Sequence, residues 1–319
     1  MHHLINKTIA SMAPVLTLGE NRLSILIFHR VLASYDFMRP SEITAKEFNA
    51  KMQLIARYFT PLSLSSAVDR LADGTLPSRA ICVTFDDGYR DNAEVAYPIL
   101  KRWGIPATFF VASGFLDGGR MWNDTVIETL REYKNSELNL TDIGLETFDS
   151  ASEQQKEKAA QMIIQQIKHC AQNERDQKVN FIASHAKSLP NNLMMDSEQV
   201  KNLSNYGVSI GGHTVTHPIL ATLTSDKAEE EVLIGKQTLE GIVQAPVSLF
   251  AYPNGKLGKD YLPEHTEIIK KLGFKAAVST QWGVSNNKSD IYQLNRFTPW
   301  DKSNNKFMAR LVKNLMQVS

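Results

Sequence analysis

The sequence has little of several features that define particular classes of protein. Only two cysteines, Cys82 and Cys170, occur in 319 residues, and their wide separation argues against a disulfide framework. The formal net charge is +1, and a chain without a basic excess is not expected to bind nucleic acid. The apolar stretch from Ile9 to Leu18 is interrupted by Pro14 and is too short to span a bilayer.

The N-terminus also lacks the basic start, long apolar middle and small-residue cleavage site of a secretory signal. We therefore expect a cytoplasmic protein with no clear membrane span, the alternative being an amphipathic arm that touches a membrane. Hydrophobic residues make up 43% of the chain, which is enough for a large core, and α/β barrels of this length form one domain. We expect an arm at residues 1–20 and a single domain at residues 21–319.

Apolar strand patterns alternate with helical patterns along most of this domain. The stretch Ala80-Ile-Cys-Val-Thr-Phe85 carries no charge, which is typical of a strand buried on both faces of a parallel sheet. Similar stretches begin near Ser24, Ala107 and Val208, and helical spacing follows each of them. Strands that alternate with helices predict an α/β protein with a parallel sheet.

Two adjacent carboxylates, Asp86 and Asp87, directly follow the strand that ends at Phe85. The C-terminal ends of parallel strands are where α/β folds place their chemistry. Neighbouring residues at a strand end point in different directions, so one acid could hold a metal while the other handles a proton. A turn followed by a helix cap is the alternative explanation of this Asp-Asp-Gly sequence.

Two histidines follow a second short apolar strand and a Gly-Gly turn. His213 and His217 are four residues apart and would meet on one face if the segment that contains them were helical. Together with one carboxylate they would form a two-His-one-carboxylate group, which leaves coordination positions open, as catalytic metal sites do. A purely structural role for the histidines is the alternative.

These motifs resemble those of the polysaccharide deacetylases, carbohydrate esterase family 4. Thr84-Phe-Asp-Asp-Gly88 is similar to the first motif of the family and His213-Thr-Val-Thr-His217 to the second. The resemblance implies that Asp86 is the general base and that Asp87 and both histidines bind the metal. It extends from about Ser24 to about Trp300 and implies a distorted (β/α) barrel of about seven parallel strands.

The later motifs depart from the family pattern. An arginine that orients the catalytic Asp in the family is replaced by Ala251, while Asn254 occupies the position whose backbone N–H binds the oxyanion. The family's Leu-x-His, which supplies the general acid, is replaced by Leu294-Asn-Arg296. One hypothesis is that Arg296 reaches the vacated place and orients Asp86, since a guanidinium suits a carboxylate; a structural arginine is the alternative.

With no Leu-x-His, the leaving group would be protonated by His29, by a metal-bound water or by Asp86 returning its proton. Residues that could contact a sugar are aromatic, and packing is the alternative for the two tryptophans among them. They are Trp122, Tyr252 and Trp282.

Residues from about 124 to 192 depart from the pattern of a minimal deacetylase. A strongly helical pattern over 152–172 predicts a helical insertion between the first and second metal motifs.

The sequence therefore predicts a metal-dependent hydrolase that removes acetyl groups from a carbohydrate, with N-acetyl groups as the first choice and O-acetyl groups as the alternative. Zinc is the first choice for a mixed nitrogen and oxygen ligand set, with nickel, cobalt or manganese as alternatives. A hydrolase of C–N bonds in small cyclic amides or ureides and a non-catalytic glycan-binding relative are the alternative functions. The second of these is suggested by Ala251 and by the missing Leu-x-His.

Overall fold

The structure, a computed structural model, describes residues 22–317. The arm predicted at residues 1–20 lies outside the described residues, and the single-domain organisation of residues 21–319 stays a prediction. None of the helices in the described part of the chain is both long enough and apolar enough to cross a membrane. Strands and helices alternate along this part of the chain, as the sequence pattern predicts.

A seven-stranded sheet, in which every pairing is parallel, forms the centre of the fold. The strands in chain order are β1 Ser24–Phe28, β2 Val31–Leu32, β3 Ile43–Thr44, β4 Thr60–Pro61, β5 Ala80–Phe85, β6 Ala107–Val111, β7 Glu137–Asn139, β8 Thr147–Asp149, β9 Ser209–Gly212, β10 Leu249–Ala251 and β11 Ala276–Val278. The large sheet has the order β1-β5-β6-β9-β10-β11, with β4 paired to β5. Two small sheets, β2-β3 and β7-β8, lie outside it.

Helices lie between the strands of the large sheet, and a last one follows β11. They are α1 Ala45–Tyr58, α2 Leu64–Ala72, α3 Tyr97–Trp103, α4 Trp122–Glu132, α5 Glu153–Ile167, α6 Gln172–Ala183, α7 Ser197–Asn205, α8 Ser225–Val243, α9 Pro263–Lys271 and α10 Asn304–Asn314. A capping box at Thr44 and Glu47 begins α1, and another at Asp196 and Gln199 begins α7. The prediction of a distorted barrel of about seven parallel strands is confirmed.

A short extended segment, residues 294–297, joins the two edges of the sheet. On one side the N–H of Leu294 donates to the carbonyl of Ala277 at 2.9 Å. On the other side the N–H of Phe297 donates to the carbonyl of Ile25 at 2.7 Å, and the N–H of Ile27 donates to the carbonyl of Phe297 at 3.1 Å. These backbone bonds close the barrel between β11 and β1.

Aromatic packing holds β5 in its place between β1 and β6. All six of its residues are buried, and the ring of Phe85 lies 4.9 Å from the ring of Phe109 and 5.4 Å from the ring of Phe28. Aromatic pairs at such separations add to the free energy gained from burying their surface. The strand end that carries Asp86 and Asp87 is therefore held rigidly.

The predicted helical insertion between the two metal motifs is present as α4, the β7-β8 hairpin, α5 and α6. It has an apolar core of its own, to which Val126, Phe148 and Ile163 contribute. The helix expected over 152–172 is shorter, because the buried apolar stripe of α5 ends at Ile167, and a second helix, α6, begins at Gln172. The break allows both helices to pack on α4.

Buried polar contacts attach this insertion to the barrel. Arg39, which lies between β2 and β3, donates to Asp124 and to Glu128 of α4, both at 2.7 Å. The hydroxyl of Tyr89 donates to Asp124 at 2.9 Å. Because Tyr89 lies two residues after Asp87, the strand end that carries the acids also holds the insertion.

Gly211 in β9 provides a test of how tightly the sheet packs beneath the candidate site. A Cβ atom on Gly211 would lie 2.4 Å from a ring atom of Phe110, so we expect Gly211→Ala to lower the free energy of unfolding by about 1–3 kcal/mol. Gly212→Ala is the matched control, because its Cβ would meet its nearest neighbour at 3.4 Å. Urea unfolding of the two variants should separate them, and equal stabilities would contradict the packing argument.

Candidate active site

Side chains from four chain segments converge at the carboxyl end of the barrel. Asp86 and Asp87 follow β5, and His213 and His217 follow β9. Asn254 follows β10, and Arg296 comes from the segment that closes the barrel. Because β5, β6, β9 and β10 are successive parallel strands, their ends meet at one edge, which brings these distant residues together.

Asp86 is almost fully buried, with 2% of its surface exposed. Its backbone N–H donates to the carbonyl of Phe28 at 2.9 Å, which fixes the end of β5 against β1. Its two carboxylate oxygens accept one hydrogen bond each from the two terminal nitrogens of Arg296, at 2.6 and 2.7 Å. A two-point contact of this kind fixes the direction of the carboxylate as well as its charge.

Arg296 is held in place by groups of the barrel wall. Its Nε donates to the carbonyl of Ser279 at 2.7 Å, and Nη1 lies 3.4 Å from the hydroxyl of Thr84. Burial raises the pKa of Asp86, but the charges of Arg296 and His213 outweigh burial and hold that pKa below its usual range. The structure thus brings Arg296 to Asp86 while Ala251 carries no side chain that could do so.

Asp87 and the two histidines form a compact group. Their nearest potential ligand atoms all lie within 4.8 Å of one another. The Oδ1 atom of Asp87 is 3.5 Å from Nε2 of His213 and 3.4 Å from Nε2 of His217. This oxygen is buried and makes no hydrogen bond within the described residues, as expected of an atom whose partner is a cation.

The ring of His213 is oriented by the backbone of β10. Its Nδ1 lies 2.7 Å from the carbonyl oxygen of Ala251, which can only accept, so Nδ1 carries the proton and Nε2 is free to bind a metal. Burial lowers the pKa of both imidazoles; for His213 the carboxylates of Asp86 and Asp87 outweigh burial and raise it. For His217 burial prevails and lowers the pKa to about 4, which keeps this ring neutral.

The segment between the two histidines is a loop and not a helix, so the helical spacing considered for this pair does not apply. Thr214 and His217 have positive φ angles of 66° and 55°. The side chain of Glu231 on α8 holds the loop by accepting from the N–H groups of Val215 and Thr216, both at 2.9 Å. Nothing in the sequence marks Glu231 among the acids of that helix, so its role is visible only in the folded structure.

A cavity of about 150 Å³ opens beside this group. It is lined by residues of the barrel mouth and by residues of the insertion. They include Asp87, His217 and Asn254 from the barrel, and Trp122, Lys168 and Arg175 from the insertion. The backbone of Asn254 has a φ of 59°, and its N–H has no hydrogen-bond partner among the described residues.

Three of the predicted site residues lie elsewhere. Tyr252 is fully buried, with its ring stacked 3.8 Å from that of Tyr261, so its prediction as a substrate contact is wrong. Trp282 is 37% exposed but packs edge-on against Phe297 and lines a different cavity beside α10. His29 is exposed at the end of β1 and lines a neighbouring cavity formed with residues 298–302.

These features define a (β/α) barrel with a buried carboxylate, an arginine that orients it and an Asp-His-His group suited to a divalent ion. The family comparison agrees with this class of site. The family model for polysaccharide deacetylase matches residues 73–277, and the chain belongs to that family. The resemblance stated from the two motifs is therefore confirmed.

Two relatives extend the similarity along most of the chain. The putative polysaccharide deacetylase YxkH of Bacillus subtilis (strain 168) is 23% identical over 277 residues, which cover 86% of this chain and 70% of that protein. The poly-beta-1,6-N-acetyl-D-glucosamine N-deacetylase of Staphylococcus aureus (strain N315) is 26% identical over 257 residues, which cover 73% of this chain and 88% of the relative.

Solved structures have the same fold. IcaB from Ammonifex degensii is 20% identical with a TM-score of 0.59, and the match covers 93% of this chain and 98% of that one. The de-N-acetylase from Aggregatibacter actinomycetemcomitans is 16% identical with a TM-score of 0.60, covering 92% and 100%. At such low identities the likeness supports the barrel architecture alone.

The contacts of Glu231 lead to a prediction about metal affinity. Without its carboxylate the loop loses the acceptor for two N–H groups and for the hydroxyl of Thr216, so His217 is less well positioned. We expect Glu231→Ala to weaken Zn²⁺ binding by about 10- to 100-fold, the usual effect of removing a group that orients a ligand. Glu230→Ala, an exposed position on the same helix, is the control. Competition with a chromogenic chelator measures both affinities, and equal values would refute the role.

Proposed function

We propose that this protein is a divalent-metal-dependent hydrolase that removes acetyl groups from a carbohydrate. N-acetyl groups are the first choice of substrate, and O-acetyl groups are the alternative. One observation carries the proposal: an Asp-His-His group lies directly beside a buried carboxylate that Arg296 holds at two points. The names of relatives in the family support the substrate class, since one of them is an N-deacetylase of poly-beta-1,6-N-acetyl-D-glucosamine.

Asp87, His213 and His217 would hold the ion. They fit it, because Oδ1 of Asp87 is buried without a hydrogen bond and both Nε2 atoms face that oxygen. A divalent ion bound there would lower the pKa of a water molecule and polarise the acyl carbonyl. Zinc is the first choice for two nitrogens and one carboxylate, and nickel, cobalt and manganese are alternatives.

Asp86 would take the proton from the attacking water. Its lowered pKa keeps it ionised at neutral pH, and Arg296 keeps its oxygens fixed while the charge changes. Arg296 itself cannot act as an acid, because a guanidinium does not lose its proton in proteins. Asp86 would therefore return its proton to the leaving nitrogen. His29, at the same end of the barrel but in a neighbouring cavity, is the second candidate for this acid.

The unpaired N–H of Asn254 would stabilise the negative charge that develops on the acyl oxygen. It lines the same cavity as Asp87 and His217, and its positive φ angle turns the backbone out of the strand direction. A single backbone donor of this kind commonly lowers a barrier by roughly 3 kcal/mol. Trp122 also lines the cavity, and its ring can pack on the apolar face of a sugar.

The contacts of Arg296 count against the non-catalytic alternative. It rested on Ala251 and on the missing Leu-x-His, but the guanidinium of Arg296 lies against the carboxylate that the family's arginine would orient. A chain that had lost turnover would have no need of a buried ion pair beside an intact ligand group. Hydrolysis of cyclic amides or ureides has no feature of the cavity in its favour.

Asp86→Asn tests the base. We expect acetate release from N-acetylated sugars to fall by about 10²- to 10⁴-fold, because a general base contributes that much, while Zn²⁺ affinity stays unchanged. Asp87→Asn should lose both release and metal, whereas Asp73→Asn, an exposed position at the end of α2, should lose neither. Acetate release from panels of N- and O-acetylated sugars measures activity. Full activity in Asp86→Asn would rule out its role as base.

Arg296→Met tests the origin of the low pKa of Asp86. The base works when ionised, so activity is lost as pH falls through its folded-state pKa. Without the guanidinium, burial prevails and raises this pKa, and the acid limb of the pH profile of kcat/KM should move to higher pH. Arg296→Lys keeps the charge and should move the limb less, while Arg310→Met is a control outside the site. An acid limb that stays in place in Arg296→Met would contradict the assignment.

A further inference from the structure

We infer that the pocket takes an acylated sugar that carries an anionic group, a phosphoryl group or a carboxylate, which Arg175 and Lys168 bind. The inference rests on the proposed function and narrows its substrate. Both cations come from the helical insertion, Lys168 just after α5 and Arg175 in the first turn of α6. Both line the cavity that contains Asp87, His217 and Asn254.

Arg175 is a buried cation without a counter-ion. Only 7% of its surface is exposed, and among residues 22–317 its guanidinium has no ion pair and its Nε has no hydrogen bond. Its contact is with the ring of Trp122, 5.1 Å from the guanidinium carbon. Burying a charge without a partner is costly, and a charged group in that state at the wall of a pocket is expected to have its partner in the ligand.

The surroundings of Arg175 do not compensate for this burial. The acid that acts on it most strongly is Asp176, the exposed next residue, which makes neither an ion pair nor a hydrogen bond with it. Burial lowers the pKa of Arg175 accordingly. A purely structural arginine stacked on Trp122 would gain the same ring contact at the surface, where water would solvate its charge.

Lys168 adds a second positive charge at the same wall. It is half-buried, and its ammonium makes no hydrogen bond or ion pair with any described residue. The single carboxylate that lines this cavity is Asp87, which belongs to the metal group. With an ion bound, the pocket is strongly positive, so an anionic sugar is favoured over a neutral one.

The shared ligand chemistry is a set of anionic oxygens presented next to the acylated carbon. The planar guanidinium of Arg175 can donate two parallel hydrogen bonds to a phosphoryl group or a carboxylate, and Lys168 can add a point charge. Trp122 lies under the guanidinium and limits its movement, so the donor fork is prepared before the ligand enters. The insertion therefore selects the substrate, while the barrel supplies the reacting groups.

The experiment measures how strongly the protein prefers an anionic sugar to a neutral one. Acetate release would be compared for N-acetylglucosamine, its 1-phosphate, its 6-phosphate and the analogue with a carboxylate at carbon 6. We expect kcat/KM for at least one anionic sugar to exceed that for the neutral sugar by about 10- to 100-fold, the usual effect of hydrogen bonds to charged groups. The preferred member of the panel distinguishes phosphoryl from carboxylate.

Variants of the two cations connect this preference to the pocket. Arg175→Met and Lys168→Met should each reduce the ratio of anionic to neutral kcat/KM by about tenfold or more, because each removes a charge that meets the anionic group and has no counterpart on the neutral sugar. Arg175→Lys should keep part of the ratio. Lys158→Met removes an exposed charge from α5 outside the cavity and should leave the ratio unchanged. Thermal unfolding shows whether Arg175→Met is folded. Lys168 is half-buried, so Lys168→Met tests the pocket even if Arg175→Met does not fold.

The outcomes separate this inference from the proposed function. Equal turnover of neutral and anionic sugars, or a ratio that neither variant changes, would overturn the anionic pocket while leaving the deacetylase intact. Absence of turnover with every sugar would count against the proposed function. In that case calorimetry of anionic and neutral sugars still tests the pocket: binding that requires the negative charge and Arg175 would support it, and absence of such binding would overturn it.

Discussion

The ion pair between Arg296 and Asp86 is the contact on which the site depends. A carboxylate that is almost fully buried needs a fixed opposite charge, or burial would keep it protonated. The guanidinium that supplies this charge lies on the segment that joins β11 to β1 by backbone hydrogen bonds. The same segment therefore closes the barrel and keeps Asp86 ionised, and distortion of that segment would affect both.

The Asp-His-His group depends on the barrel in a similar way, because each of its residues is positioned by a different element. Asp87 follows the rigid strand β5, and its positive φ angle directs its side chain away from that of Asp86. His213 is oriented by the carbonyl of Ala251, so β10 contributes through its backbone where the family has an arginine side chain. Glu231 of α8 fixes the loop that carries His217. The geometry of the group thus reflects the packing of three strands and one helix.

The sequence revealed the parts of the site that lie next to a strong strand pattern. The uncharged run before Asp86 and the short apolar run before His213 predicted two strand ends at one edge, and the barrel follows from the alternation of strands and helices. The turn expected at the Gly-Gly pair is wrong, because Gly211 and Gly212 are the last two residues of β9 and pair with β6. Tyr252 was misassigned because a motif places it at a strand end but does not show which side it faces; it points towards Tyr261. Glu231 and Arg175 reach the site only because their helices pack against it in the fold, and no local sequence pattern indicates such contacts.

The insertion is better described as a fixed wall of the pocket than as a lid. Its first helix, α4, is attached through Asp124 to Arg39 and Tyr89, and all three side chains are buried. Breaking such contacts would leave charged groups unpaired in the interior, which opposes hinged opening. Tyr89 lies two residues after Asp87 and donates to Asp124, which lies two residues after Trp122 in α4. This short series of covalent and hydrogen bonds sets the distance from Asp87 to Trp122. In the proposed reaction, selection of the substrate at Trp122 and Arg175 would act on the acyl group through position alone, without a conformational change.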